Sequence, residues 1–426
     1  MSLIEIDVPD GDDWQDNVAA RVLALLFGAM LLRFGLVMWG AIEPFGVLGA
    51  LPTFLCFALG VQLMVLSVAN IDYERWGRPI GYATTLLVAG VSLGLVVAAD
   101  LPRLGTDLLA FTSYAVELVD QGINAFAASM RPSETLPGAP DMWTPRTDGS
   151  RVTSWSYPGG TLWVYSLQYQ SVGRLGGLRL TSLVGTVLIG LLVTYVSPPT
   201  YGLLGPASLF LAQNQFMSAL GGLNDMWWVL PTVATLWLWA TDRRLWAAAA
   251  FGVACAMKQQ PWAIGLPLAI WVWRDAGDWR TFARRAGAYI GVGLATFTAL
   301  NLPWLLADPG AWLSSVLTPL STSSKAPLVS RGVGVAILNQ AADGRLVSRA
   351  TFEVAIYATV AVATLLYWRF FEQLRWAAWL LPAAIFLFTP RSLPSYFHWF
   401  VPVAVVALFA AHGRLRGQQR RKGVAG

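Results

Sequence analysis

An all-α, polytopic integral membrane protein with about twelve transmembrane helices is the fold class this sequence predicts, on three observations. Of 426 residues, 56% are hydrophobic and 12% charged, with a mean hydropathy of +0.54. A soluble domain carries about 25% charged residues, so most of this chain is not facing water. The apolar residues fall in long runs separated by short charged links. The lysines and arginines concentrate in alternate links, so the net charge of +5 and pI near 9.3 record topology and imply no nucleic-acid partner.

Apolar runs near 19–41, 48–70, 81–100, 157–172, 178–196, 222–240, 246–257, 261–273, 286–305, 351–369, 375–389 and 396–412 are the predicted spans. The pair 246–257 and 261–273 is short for a full crossing, which leaves open a tilted or half-helix meeting its partner at Lys258–Pro261. Residues 1–18 are acidic and polar, without the basic start of a cleavable signal, and read as a cytoplasmic segment. Residues 19–412 form one transmembrane unit, and 413–426 a basic cytoplasmic tail. One set of links holds Arg75, Arg78, Arg174, Arg179, Arg243, Arg244, Arg274, Arg280, Arg284, Arg285, Arg369 and Arg375. That dense side is expected to be cytoplasmic, with both termini, which makes the long loops 101–156 and 306–350 extracytoplasmic.

Within the first long loop, Gly105–Phe126 places Leu108, Leu109, Phe111, Ala115, Leu118 and Val119 at helical spacing, with Asp107, Thr112 and Glu117 between them. It reads as an amphipathic helix lying along a membrane surface, opened by Asp107. Either Thr106 or Asp107 can cap it. Residues 130–157, rich in proline, form a structured loop or a flap, and 197–221 a short uncharged helix packed at the outer interface. Cys56 and Cys255 lie in apolar runs and give no disulfide framework, and His398 and His412 are too far apart for a ligand cluster.

Lys258, in CAMKQQPWAIG, is costly near hydrocarbon unless it meets a counter-charge or water. A lipid phosphate suits it, with Gln259 and Gln260 as further donors; snorkelling is the plain structural alternative. Arg391 offers a planar fork for phosphate or sugar hydroxyls, and His398 and Tyr396 beside it are either phosphate donors or an aromatic belt. Asn224 and Asp225 before MWWVLP either bind substrate or start a helix. Trp143, Trp155 and Trp163 are the tryptophans best placed for a sugar platform.

The order GTDLLAFTSYA…DQGINAF (105–126), YPGGTLWVY (157–165), LAQNQFMSALGGLND (211–225), AMKQQPWAIGLPL (256–268) and RSLPSYFHWFVP (391–402) resembles the GT-C glycosyltransferases. More narrowly it is similar to the prokaryotic mannosyltransferases that use polyprenyl-phosphate mannose, over residues 81–412, with two extra helices before the Asp-bearing loop. The resemblance implies a polyprenyl-phosphate sugar donor in the outer leaflet of a prokaryotic plasma membrane, a lipid or glycan acceptor, and inversion at the anomeric carbon. It implies Asp107 as general base, with Lys258, Gln259, Arg391, His398, Tyr396, Tyr157 and Asn224 on the donor phosphate or substrate. No nucleotide sugar, cofactor or required metal is expected, although Asp107 with a second carboxylate can hold one ion. Glu117, Asp120 and Asp308 are read as solvated or capping residues. A twelve-helix secondary transporter and a lipid-glycan flippase or ligase are the rival readings.

Overall fold

The computed structural model describes residues 12–42, 46–69, 71–98, 106–136, 139, 143–172, 175–210, 221–318, 328–342 and 347–415. The start of the N-terminal segment, residues 1–11, and the tail from 416 onward lie outside the described residues. The helices are α1 (Asp12–Ile42), α2 (Gly46–Val68), α3 (Tyr73–Ala98), α4 (Asp107–Asp120), α5 (Gly159–Val172), α6 (Leu175–Val196), α7 (Leu204–Phe210), α8 (Met226–Ala240) and α9 (Arg244–Met257). They continue with α10 (Gly265–Ala276), α11 (Trp279–Ala307), α12 (Pro309–Leu317), α13 (Val335–Ala341), α14 (Arg349–Arg369), α15 (Phe371–Leu374), α16 (Leu381–Phe386), α17 (Pro394–His398) and α18 (Phe400–Ala411). The fold is therefore all-α, as the periodicity predicts. Two short parallel strands, β1 (Arg331–Gly332) and β2 (Arg391–Ser392), are the exception among the described residues.

Among the described residues, five stretches are long and apolar enough to cross a membrane: Asn17–Leu36, Gly177–Val196, Trp279–Ala307, Arg349–Arg369 and Pro394–Ala411. Glycine sets how closely some helices approach. A Cβ at Gly28 in α1 would lie 2.7 Å from the Gly60 carbonyl oxygen of α2, and one at Gly60 2.8 Å from the Gly28 carbonyl oxygen, so neither position admits a side chain without separating the pair.

Following hydrogen bonds from helix to helix fixes which ends lie together. Arg21 at the start of α1 donates to the Ala69 carbonyl after α2 at 2.6 Å, so this pair is antiparallel with its open end away from Asp107. Arg78 near the start of α3 donates to the Ser197 carbonyl just after α6, so residues 197–201 also sit at that opposite end. Thr106 in turn donates to the Gly221 carbonyl at 3.5 Å, which returns the chain to the Asp107 end by Gly221.

Two sequence expectations are corrected by this path. Residues 157–172 do not run to the opposite end: α5 begins beside α9 and α11 at the Asp107 end, and Gln170 near its C-terminus reaches Asp120 of α4 at 3.4 Å. Residues 197–201 do not lie at the outer interface, because the Ser197 carbonyl accepts from Arg78 at the opposite end, while Gly221 lies beside Thr106 at the Asp107 end. Residues 211–220 themselves lie outside the described residues. Arg179 accordingly lies at the Asp107 end, since Leu178 beside it packs on Leu109.

The Asp107 end carries its own folded layer. Phe111, Leu118, Phe126, Met130, Trp155, Trp304 and Trp312 make a buried cluster between α4, α5, α11, α12 and the loop before α5. α4 is therefore largely enclosed by protein: Thr112 and Ser113 are buried along with Leu108, Leu109 and Phe111. The long loops are strapped together above this layer. Val329 donates to the Pro145 carbonyl at 3.1 Å, Arg331 to Pro390 at 2.9 Å, and Val333 to Ser392 at 2.7 Å.

Candidate active site

Asp107 is the first residue of α4, and the capping role belongs to its neighbour. Thr106 is extended, at φ −141°, and its hydroxyl accepts from the Leu109 N–H at 3.1 Å. The Asp107 carboxylate is therefore released for other bonds. Its Oδ1 accepts from the Leu108 N–H at 2.9 Å, and its Oδ2 accepts from Thr144 twice, from the backbone N–H at 3.0 Å and the hydroxyl at 2.6 Å. A carboxylate offers about four lone-pair positions, so among the described residues one on Oδ1 is left for a ligand. The Thr144 hydroxyl, having given its proton to Asp107, accepts from Arg391 Nη2 at 3.4 Å. Arg391 is brought there by the β1–β2 pairing, and its Nη1 is buried with no hydrogen-bond partner among the described residues.

A second group lies on α8 and α9. Lys258 follows α9 in an extended conformation, and its Nζ meets Asp225 Oδ1 at 2.7 Å; the two side chains are 4% and 2% exposed. Trp228 Nε1 donates to the same oxygen at 3.1 Å. Lys258 thus has the counter-charge its burial demands, supplied by protein. Asp225 makes no side-chain cap bond to α8, so its carboxylate serves the lysine instead of the helix start.

Tyr157 joins the two groups. The Lys258 ammonium stands 5.2 Å from its ring centroid. Burial first, then the proximity of Tyr396, Asp225 and Asp107, raises its hydroxyl well above the ordinary tyrosine range, with Arg391 opposing. It therefore stays protonated and remains a hydrogen-bond donor. The segment after it is held by close backbone approach. Gly159 N–H donates to Asn301 Oδ1 at 2.7 Å, Thr161 donates to the Met257 carbonyl at 2.6 Å, and a Cβ at Gly160 would lie 2.7 Å from the Ala256 carbonyl oxygen.

Asp107, Tyr157, Lys258, Arg391 and Tyr396 are thus gathered at one site. Asn224 is buried beside Asp225 with neither its amide oxygen nor its amide nitrogen bonded among the described residues, and Gln260 Oε1 is equally unpartnered. Buried polar atoms left this way are the ones a polar ligand or water satisfies. Other candidates do different work. Both amide hydrogens of Gln259 go to backbone carbonyls, Ser156 at 2.7 Å and Val316 at 2.8 Å, so it braces the loops and has none to give a phosphate. His398 stands two residues after Tyr396 in α17 and so points away from the face Tyr396 presents. Trp155 is fully buried and offers no platform; Trp163 is exposed and packs on Trp304 while donating to the Leu300 carbonyl, and Trp143 lies against Phe111 next to Thr144. Asp308 caps α12 through the Ala311 N–H at 2.8 Å.

Sequence reasoning missed Thr144, whose loop carries no motif, and left Asp225 as one of two open choices. The cue for Asp225 was Lys258 itself, since a buried ammonium requires a carboxylate. No three carboxylate, imidazole or thiol groups converge among the described residues. No protein-family model, curated protein or solved structure matches this chain.

Proposed function

We propose that the chain is a membrane-embedded glycosyltransferase of the GT-C type, moving a sugar, mannose as first choice, from a polyprenyl-phosphate donor to a lipid or glycan acceptor. The reading takes the end-to-end helices as about twelve crossings of a prokaryotic plasma membrane, with both termini cytoplasmic and the Asp107 end outside. One observation carries it: a carboxylate and a guanidinium joined through Thr144, beside a protonated tyrosine, beneath loops strapped over them. The acceptor hydroxyl attacks the anomeric carbon and passes its proton to Asp107 Oδ1, as the new carbon–oxygen bond forms. The bond from that carbon to the phosphate oxygen breaks with its electron pair left on the phosphate, whose charge Arg391 receives through its unpartnered Nη1. The phosphate leaves without a proton, so one base suffices, and attack opposite the leaving group inverts the carbon.

The test is transfer of labelled sugar from synthetic polyprenyl-phosphate mannose to membrane lipid by the purified protein. Transfer is expected from wild type and absent in Asp107→Asn. Failure with every polyprenyl-phosphate sugar overturns the reading. The buried Lys258–Asp225 pair favours a second reading, a proton-coupled transporter, because intramembrane ion pairs also serve as proton relays. Uptake of solute by proteoliposomes under a proton gradient, with no transfer, is the result that selects it. Movement of intact lipid-linked glycan between leaflets, or its joining to a polymer, selects the flippase or ligase.

A further inference from the structure

The turn between α8 and α9 closes a second concavity, at the end of the helices remote from Asp107. α8 starts after Asp225 and spans 15 residues, about 22 Å, before reaching it. The cavity measures about 420 Å³, within the range of small-molecule sites, and its walls include Trp239, Arg244, Arg285 and Tyr289 with the carboxylates of Asp242 and Asp275. Arg244 is stacked over the Trp239 ring at 4.2 Å, which holds its guanidinium in one plane.

Four long ion pairs meet around the cavity, and one of them, Arg244 to Asp242, is a hydrogen bond. Arg244 lies 3.4 Å from Asp242 and 3.7 Å from Asp275; Arg375 lies 3.6 Å from Asp275 and 3.4 Å from Glu372. A closed charge-assisted pair sits at about 2.7–2.9 Å. Donors therefore remain. The Trp239 indole N–H and the Arg375 Nε are buried with no hydrogen-bond partner among the described residues. Arg285 gives one Nη1 bond, to the Asp275 carbonyl at 3.0 Å, and keeps its other N–H groups. The segments 242–244, 274–285 and 369–375 that surround the cavity hold eight arginines against four carboxylates. Trp246 and Trp279, close in sequence to Arg244 and Asp275, are 71% and 65% exposed, as amphipathic rings are at headgroup level.

We infer that this pocket binds the phosphodiester of an anionic phospholipid headgroup, with Arg244, Arg285 and the Trp239 indole as its donors. An acceptor-rich monoanion takes the remaining N–H groups of Arg285 and the unpartnered Trp239 indole, and basic pockets between helix ends are where such headgroups settle. The inference rests on the helices crossing a membrane and is independent of glycosyl transfer, so loss of one leaves the other standing.

The experiment is native mass spectrometry of the full-length, delipidated protein, titrated with phosphatidylglycerol, phosphatidylcholine or inorganic phosphate. Phosphatidylglycerol should be retained in preference to phosphatidylcholine. Its affinity should fall about tenfold in Arg244→Gln and in Arg285→Gln, as loss of one charged hydrogen bond does. Arg280→Gln and Arg284→Gln, exposed and outside the pocket walls, should not change it. Arg285 is itself exposed, so its variant keeps the test open if Arg244→Gln fails to fold. Equal loss in all four variants, equal retention of phosphatidylcholine, or saturation by inorganic phosphate with no further gain from lipid each overturns the assignment.

Discussion

At the residue scale, the bonds around Asp107 separate a catalytic role from a structural one. Asp107→Asn removes the proton acceptor and also exchanges one oxygen for an amide nitrogen beside Thr144, so it strikes the base and the tether together. Thr144→Val removes only the hydroxyl link, which accepts from Arg391 and donates to Asp107. If Asp107 is the base, sugar transfer should fall by about 10²–10⁴-fold in Asp107→Asn. It should fall far less, about tenfold, in Thr144→Val. Equal losses would make the carboxylate a tether for the loop. Thr106→Ala, which removes the cap, should cost about 1 kcal/mol of stability with transfer kept in the folded fraction. The Lys258–Asp225 pair makes a different prediction. Asp225→Asn strands a buried ammonium and should destabilise by about 3–5 kcal/mol, whereas the double change Asp225→Asn with Lys258→Met should restore much of that, measured by denaturant unfolding in detergent. No recovery in the double variant would show that the two charges are not each other's partner. Sequence reasoning reached Asp107, Lys258 and Arg391 because charge is conspicuous in an apolar chain. It missed Thr144 because a lone threonine in a proline-rich loop has nothing to mark it.

At the scale of elements, the site is assembled by backbone contacts that only glycine permits. Gly332 has φ +138°, in the region that favours glycine, and a Cβ there would collide with the Ser392 carbonyl. That contact is where β1 lies against β2 and where Arg391 is delivered to Thr144. Gly332→Ala should therefore part the two strands without unfolding the helices. Trypsin should then cut faster after Arg331, while the helical circular dichroism stays constant; an unchanged cleavage rate would show that the strands are not held by this contact. Most long helices were legible, because apolar runs bounded by Gly, Pro and charge declare themselves. The short helices Pro309–Leu317 and Val335–Ala341 inside the second long loop were not, and the expected span 375–389 is broken into a 3-10 turn and the short helix Leu381–Phe386. Which helices run from end to end was not legible either. α5 is as apolar as a crossing helix because the folded layer at the Asp107 end buries it, and apolarity does not distinguish burial in protein from burial in lipid. The position of residues 197–201 was hidden by Pro198 and Pro199, which read as a break before a short interfacial helix.

At the scale of the whole molecule, the arginine asymmetry and the helix path make one joint statement about sides. The links at 242–244, 274–285 and 369–375 stay together at the end opposite Asp107, and Arg75 and Arg78 join them there through the Ser197 contact. Arg179 goes to the other end, so it leaves the arginine-dense set that the positive-inside expectation assigns to the cytoplasm. Residues 197–201 change sides too, which makes them the place to test the path. In a cysteine-free background, Ser150→Cys should react with an impermeant maleimide in intact cells, and Asp278→Cys only after lysis, if the Asp107 end faces outward. Thr200→Cys then decides between the two paths. Beside Arg78 and Gly77 it should behave as Asp278→Cys does; an outer-interface helix at 197–221 would make it label with Ser150→Cys in intact cells. The latter result would break the alternation of ends on which the gathering of Asp107, Lys258 and Arg391 at one side of the membrane depends.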